Sequence, residues 1–440
     1  MCWWRTLRSG LQTGVVACVL LTACNGAIGD GKGPGGTESF VCQNPNAIAL
    51  GSAPVRRLTN VEYQNTVRDL LGGALPVLPE QPSDAVLEGS FENDALSLGP
   101  SDVRVSRYET AATLLGEHAV TDAIARQRVL PCDPGDVGCG RAFAESFGRR
   151  AFRRPLTEEE LGRWSAFFEV QRSAIDFDAA VQLTVSAMLQ APQFLYRLES
   201  EGAPLNAQQI ELSQYELASR LSYFLWESMP DDALLGAADR GELATREELE
   251  GHARRLLADT RAQASVRNFH RQWLYLDRVL AQNKLSELFP SWSDQARQSA
   301  KEETLRFVEG TFFGGGTVED LLTSPVAYVD DAMAELYGVP APAEPWSAVE
   351  LDPSERAGIL SRIAFLAGNA HEGNGSPPLR GIYVMERLLC EPRPSPPADA
   401  DLSPPMADPE RGPATNRELF EERVAPSNCQ GCHVRIDGFG

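Results

Sequence analysis

Histidine is scarce in this 440-residue chain. The five present (His118, His252, His270, His371 and His433) are too few for a multi-metal enzyme or a multihaem cytochrome. Positive charge is in deficit as well: 40 Lys and Arg against 61 Asp and Glu give a net charge of −21. That balance argues against nucleic acid or an anionic membrane surface as partner. Familiar catalytic signatures are missing too. There is no G-x-S-x-G and no G-x-x-x-x-G-K-[ST], and "HEGNG" lacks the second His of H-E-x-x-H. "GKGPGG" satisfies G-x-G-x-x-G from Gly31 to Gly36, but no strand precedes it and no helix follows, so it carries no nucleotide reading. Beyond the N-terminus no apolar run is long enough to cross a bilayer.

What is there begins with an export signal. Arg5 and Arg8 precede an apolar run from Leu11 to Ala23, which is too short for a membrane span and flanked as a secretory signal is. Leu21-Thr22-Ala23-Cys24 matches the lipobox of bacterial lipoproteins, in which Cys24 becomes the lipidated first residue. Several acyl chains on one residue anchor stably where a single chain does not. Asn25 after the cysteine favours the outer membrane. Residues 1–23 therefore read as a lipoprotein signal peptide. Residues 24–54, rich in Gly, Pro and Ser, read as a flexible tether. The expected location is the cell envelope, on its periplasmic or surface face, with a lipid anchor to the membrane.

Past the tether the pattern is helical. Thr59 with Glu62 opens "LTNVEYQNTVRDLLG" as a capping box that ends at Gly72. The same start recurs at Thr157/Glu160, Ser213/Glu216, Thr245/Glu248 and Thr415/Glu418. In "ELASRLSYFLWE", Leu217, Leu221, Phe224 and Leu225 are expected to form a wide apolar stripe. The expected fold is mostly α, with several helical subdomains joined by Pro/Gly-rich linkers. The boundaries read as 55–128, 129–202 (with "RRAFRRPLT"), 203–342 and 355–440. The last contains a Pro-rich spacer, "CEPRPSPPADADLSPPMADPERGP".

The chemistry collects at the C-terminal end. Cys429, Cys432 and His433 in "SNCQGCHVRIDGFG" form C-x-x-C-H, the attachment motif of c-type haem. Two thiols three positions apart can each bond one haem vinyl, and the adjacent imidazole then ligates the iron. The rival readings are a disulfide, structural or redox-active, and half of a zinc site, which would need two further ligands. For the sixth iron position the candidates are Met385, Met406 and His371; Met385 also fits a packed helix face, and an open position is the remaining option. Cys132 and Cys139 bracket the turn-rich "DPGDVG" and are expected to form a disulfide, leaving Cys42 and Cys390 as the residual pair. The Arg149, Arg150, Arg153 and Arg154 cluster reads either as an anion or propionate site or as neutralisation of acidic helices and helix C-termini. Asp231 and Asp232 read as a helix cap rather than as a catalytic carboxylate pair.

The blocks "RRLTNVEYQNTVRDLLG", "RRAFRRPLTEEEL", "LQAPQFLYRLES", "LSQYELASRLSYFLWESMPDDALL", "GILSRIAFLAGNAHEGNGSPPLRGIYVMERLLC" and "NCQGCHVRIDGFG" resemble an exported multi-domain family of planctomycetes and myxobacteria. That family combines adjacent domains of unknown function with a C-terminal C-x-x-C-H cytochrome c-type motif. The resemblance covers nearly all of residues 55–440 in the same order. It implies an exported, mostly helical, c-type haem protein without naming a substrate. Family members usually continue past the "DGFG" block, so the resemblance implies a truncated chain or a short branch. The leading expectation is an electron-transfer lipoprotein with an exported redox partner. The alternatives are a peroxidase-like haem oxidoreductase and a non-catalytic binding or scaffold lipoprotein with a structural disulfide, so enzymatic activity stays open.

Overall fold

The fold rests on helix starts that satisfy themselves. A computed structural model describes residues 53–86, 90–199, 202, 204–206, 209–392, 415–425 and 427–440. Cys24, Cys42 and Met406 lie outside the described residues. After β1 (Arg56–Arg57), α1 (Asn60–Leu71) opens with Thr59 accepting from the Glu62 amide while the Glu62 carboxylate accepts from the Thr59 amide at 2.8 Å. Each such box satisfies donors that a helix N-terminus leaves unpaired. All five boxes expected from the sequence are present in this reciprocal form. Thr317/Asp320 adds a sixth.

Three apolar clusters organise the helices. The first gathers α1, α2 (Asp102–Thr121), α3 (Ala123–Val129), α4 (Cys139–Phe152), α5 (Glu158–Ala174), α6 (Phe177–Leu189) and α7 (Pro192–Leu195). Leu58, Leu70, Leu115, Phe143, Phe147 and Phe194 are fully buried in it. The α2–α6 contact is close because position 116 is Gly: a Cβ there would lie 2.5 Å from the Gln182 carbonyl. A disulfide joins Cys132 to Cys139, just ahead of α4. β2 (Tyr196–Arg197) then returns antiparallel to β1.

A short ribbon of β3 (Pro204–Asn206) and β4 (Gln209–Ile210) leads into α8 (Gln214–Trp226), α9 (Asp232–Asp239), α10 (Arg246–Leu257) and α11 (Arg261–Trp273). Trp226 centres the second cluster, its Nε1–H donating to the Leu256 carbonyl at 2.8 Å. Of the expected stripe on α8, Leu217, Leu221 and Leu225 pack against this cluster, and Phe224 alone departs from it. Phe224 is 79% exposed, and the buried face runs through Ala218, Ser222, Tyr223 and Trp226. The helix turns inward the residues that its neighbours can pair or pack, and Tyr223 binds Thr66 Oγ1 at 2.9 Å.

The third cluster is built by α12 (Asp294–Phe313), α13 (Val318–Thr323), β5 (Val326–Val329), α14 (Asp331–Tyr337), β6 (Ser347–Glu350), α15 (Ile363–Gly368) and α16 (Pro377–Tyr383). β5 and β6 pair antiparallel from Val326↔Glu350 to Val329↔Ser347. Inside this cluster Arg362 and Glu303 form a buried ion pair at 2.8 Å, with side chains 2% and 0% exposed. Arg362 also donates to the carbonyls of Gly358, Ser324 and Val326 and lies over the Phe307 ring. Past the described part of the Pro-rich segment come α17 (Asn416–Val424), α18 (Ser427–Ile436) and a 3-10 turn at Asp437–Phe439. The fold is therefore mostly α. Strands among the described residues are confined to three two-stranded ribbons, and no helix among them is long and apolar enough to cross a membrane.

Removing one partner of a buried pair leaves the other charge unpaired, at a cost of about 3–5 kcal/mol. Glu303→Ala is therefore expected to lose about that much stability in urea unfolding. A loss below about 1 kcal/mol would mean that the Arg362 carbonyl contacts suffice without the carboxylate.

Candidate functional site

Cys429, Cys432 and His433 stand at i, i+3 and i+4 along α18, so all three share one helix face. All three are half-buried, whereas Val434 and Arg435 are exposed. Ile436, about one turn past Cys432 and His433 on that same face, is buried. α18 lies against α16 at Gly381, where a Cβ would fall 1.8 Å from the Ile436 carbonyl, so any larger residue would separate the two helices. The α17 start is fixed by the Thr415/Glu418 box, and Arg435 reaches Glu391 at 2.5 Å. Glu391 in turn donates its amide to the Met385 carbonyl. The attachment helix is thus pinned to the segment that follows α16.

His433 Nδ1–H donates to Asp437 Oδ2 at 2.9 Å, one helical turn on. With the proton held on Nδ1, the lone pair of Nε2 is free for a metal. Asp437 Oδ1 is buried with no hydrogen-bond partner, and so is Nε of Arg380 on α16. Burial lowers the pKa of that guanidinium. Cys429 and Cys432 are not joined to each other by a disulfide. Among the described residues no group of three His, Cys, Asp or Glu is arranged to hold a bare metal ion, so the donor set offers no zinc site. A group that brings its own equatorial ligands, as a porphyrin does, asks of the protein only what these three residues supply.

The other singled-out residues fall elsewhere. Met385 is 1% exposed, at the π-helical turn Val384–Leu388. His371 sits in a loop where its amide donates to the Asn374 carbonyl and its own carbonyl accepts from Lys284 at 2.7 Å. Burial, and then the Lys284 charge, lower the pKa of its imidazole. Cys390 is exposed with a free thiol. The arginine cluster is spent internally. Arg149 pairs with Asp239 at 2.5 Å and Arg154 with Glu160 at 2.8 Å. Arg150 donates to the carbonyls of Leu70 and Arg128 at helix ends, and Arg153 to those of Phe194, Gln193 and Tyr196. Asp231 caps α9 through the Leu234 amide and pairs with Arg255 at 2.7 Å.

Sequence reasoning passed over a second feature. A cleft of about 630 Å³ opens between α1, the end of α8, α11 and α12, with Trp346 at its wall. Glu227 caps α8 in the left-handed region (φ 51°), where glycine is the usual residue. Its carboxylate accepts from Asn268 at 2.5 Å, and its backbone carbonyl accepts from Asn65 at 3.3 Å. Desolvation in the cleft wall pushes the Glu227 carboxyl up to about 7. The one signal in the chain was a Glu where "LWESMP" calls for a helix-ending Gly. Asp437 was more legible, since "HVRID" places it four residues after His433.

Four family models match the chain in consecutive order. They are PSD3, a protein of unknown function (DUF1587), over residues 56–121; PSD5, a protein of unknown function (DUF1595), over 139–199; PSD4, a protein of unknown function (DUF1592), over 212–339; and PSCyt3, a protein of unknown function (DUF1588), over 356–440. No curated protein and no solved structure matches the chain.

The Glu227 shift has a sign that stability measurements can read. A carboxyl whose folded pKa lies above its ordinary 4.5, here at about 7, favours folding below 4.5 and loses that contribution as pH rises through 7. Glu227→Gln should therefore be stabilising at pH 8 relative to its effect at pH 4, by on the order of 2 kcal/mol after discounting for partial solvent screening. Paired urea titrations at the two pH values check this. Equal effects at both would place the Glu227 carboxyl in the ordinary range.

Proposed function

The chain belongs to a multi-domain family of unknown function built from these four adjacent domains, and on that premise we propose that it is an exported, lipid-anchored c-type haem protein that passes electrons to or from an exported partner. The observation that carries the reading is the arrangement on α18: two cysteines and an imidazole on one face, the cysteines not joined by a disulfide, with Nδ1 tied to Asp437 so that the Nε2 lone pair is the one left for a metal. The name of the matched C-terminal model, PSCyt3, points the same way, while its description assigns no function. Export and anchoring rest on the signal and lipobox that end at Cys24.

A bound haem supplies reversible one-electron chemistry at iron. Cys429 and Cys432 would hold the porphyrin through thioethers, and His433 would ligate from Nε2. Asp437 fixes the ring's orientation and tautomer and raises its basicity, which favours the oxidised iron. Arg380, a cation with a buried and unpartnered Nε, is the group we assign to a propionate carboxylate. Gly381 keeps α16 close enough for that helix to serve as the floor of the site. The acidic surface, at net charge −21, favours a basic redox partner.

The test is a pyridine haemochrome spectrum of protein exported from a host that attaches c-type haem, beside a Cys429→Ala/Cys432→Ala control. A c-type band that survives acid-acetone extraction and vanishes in the control is expected. Asp437→Asn should keep the band and move the midpoint potential positive, since an amide oxygen accepts the Nδ1–H more weakly than a carboxylate and leaves the imidazole a poorer donor to iron. A chain that carries no covalent haem under these conditions would overturn the proposal.

A further inference from the structure

We propose that the cleft between α1, α11 and α12 binds a neutral polyhydroxylated ligand, a short oligosaccharide, through Asn65, Glu227, Asn268 and Gln298 with Trp346 as the apolar wall. The inference stands apart from the haem reading and rests on different residues.

The charges exclude the obvious alternatives. Three cations line the cleft, but each is already neutralised by the fold. Arg267 pairs with Glu302 at 2.5 Å and Glu309 at 3.0 Å, Arg271 with Glu92 at 2.7 Å, and Lys301 with Asp277 at 2.5 Å. An anion would have to compete with those carboxylates, and so gains little. A cationic ligand finds the carboxylates taken as well, Glu302 by Arg267 and Arg306 and Glu227 by Asn268. What remains is amide capacity: Asn65 and Asn268 each give one N–H to Glu227 and their oxygens to Arg68 and Arg271, which leaves each a second N–H beside the Gln298 amide. A sugar hydroxyl is both donor and acceptor, and successive hydroxyls on one ring match such a set. An indole offers the apolar surface that the C–H face of a pyranose needs.

Backbone strain points to the same place. Among the described residues, five non-glycine positions hold positive φ, and two of them, Glu227 (φ 51°) and Trp346 (φ 65°), line this one cleft. For a bulky residue such a conformation is an outlier that the surrounding structure has to enforce, and outliers of this kind gather at ligand sites. The volume, about 630 Å³, falls in the range of small-molecule sites. The walls come from segments far apart in the chain, Asn65 on α1 and Asn268 on α11, so the cleft exists only once the whole unit has folded.

Isothermal titration of the intact protein at pH 7 with cellotriose, xylotriose, mannotriose, maltotriose and chitotriose tests the proposal, with inorganic phosphate and putrescine as charged controls. Saturable binding of at least one trisaccharide is expected, and neither control should compete. Asn268→Ala should weaken that binding about tenfold, the loss of one buried hydrogen-bonding group. Glu227→Gly removes the carboxyl while giving the left-handed position its preferred residue, so it should melt no lower than the parent and still lose binding. A Cys429→Ala/Cys432→Ala chain should bind as the parent does, which separates this result from the haem question. No trisaccharide binding by the parent, binding of phosphate or putrescine alone, or undiminished binding by the folded Glu227→Gly protein would each overturn the proposal.

Discussion

A guanidinium removed from water has to find acceptors for its N–H groups, and much of this fold is arranged around four that do. Arg57, Arg104, Arg153 and Arg362 are each at most 4% exposed. Arg57 and Arg104 hold the extended segment at Pro82–Asp84 onto α1 and α2, through Asp84 and the Pro82 carbonyl. Arg153 collects carbonyls from both ends of α7 and stacks near Tyr223 of α8, which locks the first helical cluster to the start of the next. Arg362 does the same for α12, β5 and α15. Because many of these acceptors are backbone carbonyls at one position, the contacts fix register as well as proximity. Apolar packing alone tolerates a slide of one side chain; a buried guanidinium with assigned carbonyls does not.

This division explains what could be read from the chain. Helix starts depend on residues three positions apart, so Thr59/Glu62 and its four counterparts were visible in the sequence and are all formed. The grouping of Cys429, Cys432 and His433 is equally local, and the helix merely turns their spacing into a shared face. The α8 stripe held at Leu217, Leu221 and Leu225 and misled only at Phe224, where hydrophobicity was counted without its neighbours: Phe224 points outward, while Tyr223 turns in toward Thr66 and Arg153. The cleft was invisible for the same reason on a larger scale. Nothing in the run around Asn65 announces Asn268 or Trp346, and only tertiary contacts bring them together.

The two proposed sites are supported differently. The α18 face is small and built from a single turn of helix, braced by one close helix contact at Gly381 and one ion pair at Arg435. The cleft is broad and braced on every side by ion pairs that cancel its charge. A site for a covalent group needs little recognition, because the bond itself holds it. A site for a reversible ligand needs a preorganised wall, and left-handed Glu227 and Trp346 are the visible cost of making one.

The half-buried thiols of α18 bear on the order of events in biogenesis. Ile436 follows Cys429 by seven positions and Cys432 by four, so both thiols sit on the side of the helix that carries this buried anchor. An attaching enzyme would therefore reach both sulfurs more readily before α18 docks on α16 than after. On the proposed haem reading, covalent loading would precede the docking of this last helix, and a chain that folds empty would be a poorer substrate for attachment.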